Sequence, residues 1–158
     1  GDVELRGWGE SVDAHHMSSP HPQGLGAQAA LDDALARAAL GAEAVDLVLL
    51  HGTGTTANDA VEAALVARRY APGVHASATK GITGHTMGAA GALQAAVAVL
   101  ALQRGLCPGS APTAVPDAAL GQGFAARFQA RPALRAPRAV ASHSFGFGGS
   151  NAVLVFAC

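Results

Sequence analysis

From Met87 to Leu102 the chain carries a single polar side chain, Gln94. A helix with no polar face cannot lie on a solvated surface, so this run predicts a central buried helix that the rest of the fold encloses. Gly88 and Gly91 each cost it about 1 kcal/mol relative to alanine, a cost understood if another backbone packs closely there. A polar loop, Ala76 to Thr86, runs straight into the helix and holds Lys80 and His85. Lys80 is the only lysine, beside nine arginines. A small ammonium whose pKa can be tuned is what arginine cannot offer, and this reading stands against that of an ordinary surface lysine.

A chain of 158 residues makes one domain, or one half of something larger. Charged residues are only 13% of it and hydrophobic residues 50%, where about 25% charged is usual, so much of its surface is expected to be covered by protein. A net charge of -1 gives no electrostatic footprint for nucleic acid. Cys107 and Cys158 have no paired spacing, which argues against a disulfide framework or a zinc site and fits a reducing cytoplasm. The run from Met87 is shorter than the roughly 20 residues a bilayer requires, and no signal peptide is recognised, so no membrane association is expected.

Taken in order, Val3 to Trp8 alternates like a half-buried strand. Ser11 to Gly24 is a loop of turn formers; its His15-His16 pair lacks a carboxylate or thiol at ligand spacing, so no metal is expected. Leu25 to Leu40 reads as a helix closed by Gly41. Asp46 to Leu50 is a short apolar run, predicted to be a strand buried on both faces. The polar cluster His51-Gly-Thr-Gly-Thr-Thr-Ala-Asn-Asp59 follows at its carboxyl end, where α/β sheets gather chemistry. Gly52 and Gly54 lack the lysine and third glycine of a phosphate loop. A helix from about Ala60 to Tyr70 comes next, with Asn58 or Asp59 as its cap. Val74 to Ser77 is a further strand. After Gly105 the prolines at 108, 112 and 116 hold an extended crossing segment. Phe124 to Phe128 and Arg138 to Ser142 are expected strands, and Ser144 to Asn151 is a glycine-punctuated turn into the strand Ala152 to Phe156, forming a hairpin.

Three motifs occur in one order: His51-Gly-Thr-Gly-Thr55, Thr79-Lys-Gly-Ile-Thr-Gly-His85 with Ala89-Ala-Gly91, and Ser144-Phe-Gly-Phe-Gly-Gly-Ser-Asn151. Together they resemble the C-terminal half of a β-ketoacyl-acyl-carrier-protein synthase, and Asp13 to Pro20 is similar to that family's loop before the first helix. The resemblance implies an α/β, thiolase-like fold, here as its C-terminal half: a mixed five-stranded sheet with helices on both faces and a central buried helix. The threonine-lysine form of the second motif looks more like discrete synthases than modules of multidomain polyketide synthases.

What the resemblance implies chemically is a decarboxylative Claisen condensation between an acyl-enzyme thioester and malonyl on acyl carrier protein, in fatty acid, polyene or polyketide biosynthesis, with no cofactor. Residues 1-158 would form the C-terminal domain. The cysteine nucleophile belongs to an N-terminal half absent here, since Cys107 and Cys158 match nothing in that role. The family's two histidines map onto His51 and His85 and its lysine onto Lys80. Thr53 and Thr55 would hold the malonyl carboxylate or thioester. Phe147 matches a gatekeeping phenylalanine beside the nucleophile, and the backbone N-H there would form part of the oxyanion hole. Gly148 is implied as a substrate-binding residue with it, and Asp13, His16 and Asn151 resemble the residues that interact as the gate moves. Partners implied are acyl carrier protein, the N-terminal half and a homodimer or ketosynthase heterodimer mate.

Decarboxylation leaves an enolate whose oxygen needs donors that do not protonate the carbanion, and neutral imidazoles suit this. His85, placed just before the buried helix, is expected to be kept neutral by that helix's positive end. Gln94 stands where the family usually has a glutamate paired with the lysine, and a neutral partner stabilises an ammonium less. His143 stands where asparagine is common. The alternative is a non-catalytic partner of the chain-length-factor type; such partners usually lose the histidines, whereas His51, Lys80 and His85 are all present.

Overall fold

A computed structural model describes residues 2-158. Five strands form one mixed sheet: β1 (Glu4–Val12), β2 (Leu47–Leu49), β3 (His75–Ser77), β4 (Ala139–Phe145) and β5 (Ser150–Ala157). Their order is β1-β5-β4-β2-β3. β1 and β4 flank β5 in antiparallel fashion, while β2 runs parallel to both β4 and β3. In the parallel part Leu49 stands opposite both Ser142 and Ser77. The carboxyl ends of β2, β3 and β4 therefore open on the same edge.

β2 is buried along its whole length, as a continuous apolar run in a parallel sheet requires. On one face lie α1 (Leu25–Ala38) and α2 (Thr56–Arg69), packing Leu31, Leu35, Leu65 and Val66 against Val48, Val153 and Val155. α1 sits hard on β1. A Cβ at Gly7 would stand 2.2 Å from the Ala34 carbonyl and one at Gly9 would stand 2.0 Å from that of Ala30. Only glycine admits this approach. The inward residues of β1 are these glycines, and Leu5 and Trp8 are about half exposed, so the expected alternation is met by backbone rather than by apolar side chains.

The opposite face is covered by α4 (Ala90–Arg104), which buries Ala98, Ala101 and Leu102 against Leu47, Leu49, Val140 and Phe156. The apolar run was expected to be wholly enclosed, and this chain encloses one side of it. Ala92, Ala96 and Leu100 form an exposed stripe at helical spacing, apolar but uncovered by any residue described here. Met87 does not join the helix: its φ of 51° is outside the helical region, and Met87–Ala89 forms a separate 3-10 turn.

Other boundaries differ in instructive ways. α1 closes on Ala39, left-handed at φ 52°, rather than on Gly41. α2 begins at Thr56, so Asn58 and Asp59 lie within it and cap nothing. The expected strand at Phe124–Phe128 is instead the short helix α5 (Gln122–Ala125), followed by an isolated bridge between Phe128 and Ala76. Phe124 is buried in the core beside Phe128, a packing that the two aromatics satisfy from a helical turn as well as from a strand.

Candidate active site

His51 stands two residues beyond β2, where the chain leaves the sheet through Gly52 at φ 49°. A Cβ at Gly52 would be 2.7 Å from that of Ala78, so glycine lets the turn pass β3. Lys80 opens the short helix α3 (Lys80–Thr83) after β3. His85 lies between α3 and the 3-10 turn at Met87. Three adjacent element ends thus bring the motifs together.

The rings of His51 and His85 meet edge to face, with centroids 5.7 Å apart. The Met87 amide donates to His85 Nδ1 at 3.1 Å. A nitrogen that accepts an N-H carries no proton, so the His85 proton is on Nε2. The local cause is this turn, and not the end of α4, which begins five residues later. Lys80 Nζ lies 3.4 Å from His51 Nδ1 and donates to the His51 carbonyl. With Nδ1 facing an ammonium, His51 likewise carries its proton on Nε2.

Burial depresses the His51 pKa from 6.5 to about 4, with the Glu62 carboxylate opposing and Lys80, His85 and His143 adding to the depression. The ring is neutral throughout the physiological range. Burial also lowers the Lys80 pKa, opposed by the charge of Glu62. Gln94 turns away from Lys80: its Nε2 donates to the Leu50 carbonyl at 2.8 Å and the Leu49 carbonyl at 3.3 Å. Glu62 is thus the carboxylate that acts on Lys80.

A cavity of about 1000 Å³ opens over this cluster. His51, His85, Thr53, Thr55, Phe147, Asp13 and Asn151 all line it. The Thr53 and Thr55 hydroxyls are 2.8 Å apart. Lys80 lines instead a smaller cavity of about 320 Å³ that shares Thr53 and His85, and it contacts His51, which lines the larger one. Phe147, at the turn between β4 and β5, is 78% exposed.

The three residues expected at a gate divide. Asn151 Nδ2 donates to Asp13 Oδ1 and to the Gly149 carbonyl, both at 2.9 Å, and the Asp13 amide donates to that carbonyl at 2.8 Å. Asp13 and Asn151 therefore tie the loop after β1 to the turn after β4. His16 does not join them; its Nδ1 accepts from the Ser18 amide at 3.1 Å on the exposed surface. The Gly148 amide is already donated to the Met17 carbonyl at 2.7 Å and is not a free oxyanion donor.

Sequence reasoning missed Glu62. Its Oε1 accepts from the His51 amide and its Oε2 from the Gly52 amide, each at 2.8 Å. The available signal was a lone carboxylate on the inward face of α2, among Ala63, Leu65 and Val66. An unpaired charge does not survive there.

Solved structures similar to this chain include ketosynthases. The chain matches a ketosynthase from Xenorhabdus doucetiae, solved in complex with its chain length factor, with TM-score 0.88 and 37% identity over 99% of this chain and 39% of that one. It matches a β-ketoacyl synthase from Burkholderia phymatum with TM-score 0.89 and 30% identity over 98% of this chain and 37% of that one. The fold is thus α/β and thiolase-like. The family model described as beta-ketoacyl synthase, C-terminal domain, matches residues 3–114. Among curated relatives, a mitochondrial 3-oxoacyl-[acyl-carrier-protein] synthase of Arabidopsis thaliana is 39% identical over 98% of this chain and 34% of its own length. 3-oxoacyl-[acyl-carrier-protein] synthase 2 of Coxiella burnetii is 36% identical over 97% and 37% respectively, and nodulation protein E of Rhizobium meliloti is 38% identical over 98% and 38%. The chain belongs to the β-ketoacyl synthase family, of which it carries the C-terminal domain. It spans little more than a third of the length of these relatives.

Proposed function

We propose that the chain is the C-terminal part of a β-ketoacyl-[acyl-carrier-protein] synthase, an acyltransferase completed by an N-terminal half that supplies a cysteine nucleophile. A malonyl thioester on acyl carrier protein loses carbon dioxide. The carbanion that remains attacks the acyl thioester on that cysteine, whose thiolate leaves. His51 and His85 donate Nε2-H to the enolate oxygen as its charge develops, and neither, being neutral, hands a proton to the carbanion. Lys80 holds His51 by its carbonyl and Nδ1. Thr53 and Thr55 bind the malonyl group, and Phe147, with Asp13 and Asn151, gates access to the nucleophile.

The observation that carries this reading is the pairing of His51 and His85 at 5.7 Å, each with Nδ1 turned to a donor. That array also favours an active synthase over the chain-length-factor type of partner. Acyl carrier protein, a second synthase or chain-length-factor subunit, and the N-terminal half that would cover Ala92, Ala96 and Leu100 are the partners on this reading; nucleic acid and membrane are not, and the site of action is the cytoplasm. The test is to supply the full-length protein with acyl- and malonyl-carrier and follow the carrier by mass spectrometry. A carrier-bound β-ketoacyl product lengthened by two carbons is expected. Its absence, with both carriers intact and the protein folded, would overturn the reading.

A further inference from the structure

A polar chain runs through the buried interior behind His51. Tyr70 Oη lies 2.8 Å from His143 Nε2, His143 Nδ1 lies 3.0 Å from Glu62 Oε1, and Glu62 then accepts the His51 and Gly52 amides. These three side chains come from the end of α2, from β4 and from the middle of α2, and all are buried. A carboxylate only accepts, so His143 Nδ1 carries the proton toward Glu62 and Nε2 faces the Tyr70 hydroxyl. Burial by itself would raise the Glu62 pKa, but the hydrogen bond from His143, with the Gly52 amide, holds it low. Burial, with Glu62 adding, pushes the Tyr70 hydroxyl well above its usual range, so it remains a donor.

We propose that His143 and Tyr70 are positioning residues: they fix the Glu62 carboxylate, and through it the backbone from which His51 projects its imidazole into the reaction cavity. A carboxylate with two oxygens on consecutive amides defines the orientation of the His51-Gly52 peptide. It keeps that orientation only if it cannot rotate. The His143 N-H removes its rotation, and Tyr70 holds the imidazole in the tautomer that points a proton at Glu62. Neither residue touches the cavity over His51. The demand is geometric, since a donor displaced by 1 Å from a developing charge can forfeit about 100-fold in rate.

The proposal rests on the catalytic reading of His51, and the assay separates the two. In the full-length synthase, His143→Leu is expected to lower kcat for carbon dioxide release from malonyl-carrier about 10- to 100-fold, with KM within about threefold and acyl loading of the nucleophile unchanged. His143→Asn, whose side-chain N-H can still reach Glu62, is expected to restore kcat to within about threefold. Tyr70→Phe keeps the ring and is expected to lower kcat about three- to tenfold; it carries the test alone if His143→Leu does not fold. Unchanged kcat in either folded variant overturns the proposal, as does an equal loss of decarboxylation and acyl loading. Full carbon dioxide release by His51→Ala would instead sink the underlying reading, whatever position 143 does.

Discussion

The Met87 amide donates to His85 Nδ1 at 3.1 Å, which leaves the His85 proton on Nε2. Met87 can offer that amide because it turns to φ 51°, breaking the apolar run just before its helix. The expected result in long-range proton-nitrogen spectra of labelled protein is a His85 whose Nε2 is protonated and whose Nδ1 is bare. A proton on Nδ1 would remove the donor that the mechanism needs.

His51 should show its burial in the pH dependence of stability. Its folded pKa is about 4 against 6.5 for a solvated imidazole, so between those values the unfolded chain binds a proton that the folded chain does not. Stability therefore falls as pH drops through that window, by up to about 3 kcal/mol, and is unaffected by this group above it. His51→Gln should flatten the unfolding free energy between pH 6.5 and pH 4. A His51 titration midpoint at or above 6.5, read from its ring carbon shifts, would contradict the assignment.

Gly148 and Gly149 offer a matched comparison. Both have φ near 77°, but a Cβ at Gly149 would stand 2.8 Å from that of Asp13, whereas one at Gly148 meets nothing within 4 Å. Gly148→Ala should cost only the left-handed penalty, about 1 kcal/mol. Gly149→Ala should cost at least about 1 kcal/mol more, because it also wedges apart the Asp13-Asn151 junction. Chemical denaturation of the two variants measures the difference, and equal costs would mean that the junction yields freely.

The motifs were legible because each sits at an element end, where one polar cluster interrupts an apolar run: His51 after β2, Lys80 after β3, Phe147 after β4. What composition could not say was which protein covers which surface. Met87 to Leu102 reads as enclosed because it is apolar all round, yet this chain buries only one side of it. Glu62 was hidden for a different reason. A carboxylate inside an amphipathic helix resembles any solvated one until the fold shows it facing inward, with His143 and two backbone amides around it. Phe124 to Phe128 was misread as a strand because two aromatics four apart pack equally well from one helical turn.

The open stripe of α4 makes its own prediction. Leu100 is 51% exposed here, and a charge at such a position in a free domain usually changes stability by no more than about 0.5 kcal/mol. If an N-terminal half covers it, Leu100→Asp in the full-length protein buries an unpaired carboxylate. The melting temperature should then fall by several degrees. No change on melting would show that this face is solvated in the complete protein.

The most direct test of the mechanism is His85→Ala in the full-length synthase, with radiolabelled acyl loading measured beside carbon dioxide release from malonyl-carrier. Loss of one oxyanion donor typically costs about 10²- to 10³-fold. Carbon dioxide release should drop by that factor while acyl loading persists, because the enolate and not the acyl-enzyme uses the His85 donor. Unchanged carbon dioxide release would show that the two imidazoles do not share an oxyanion and would contradict the account.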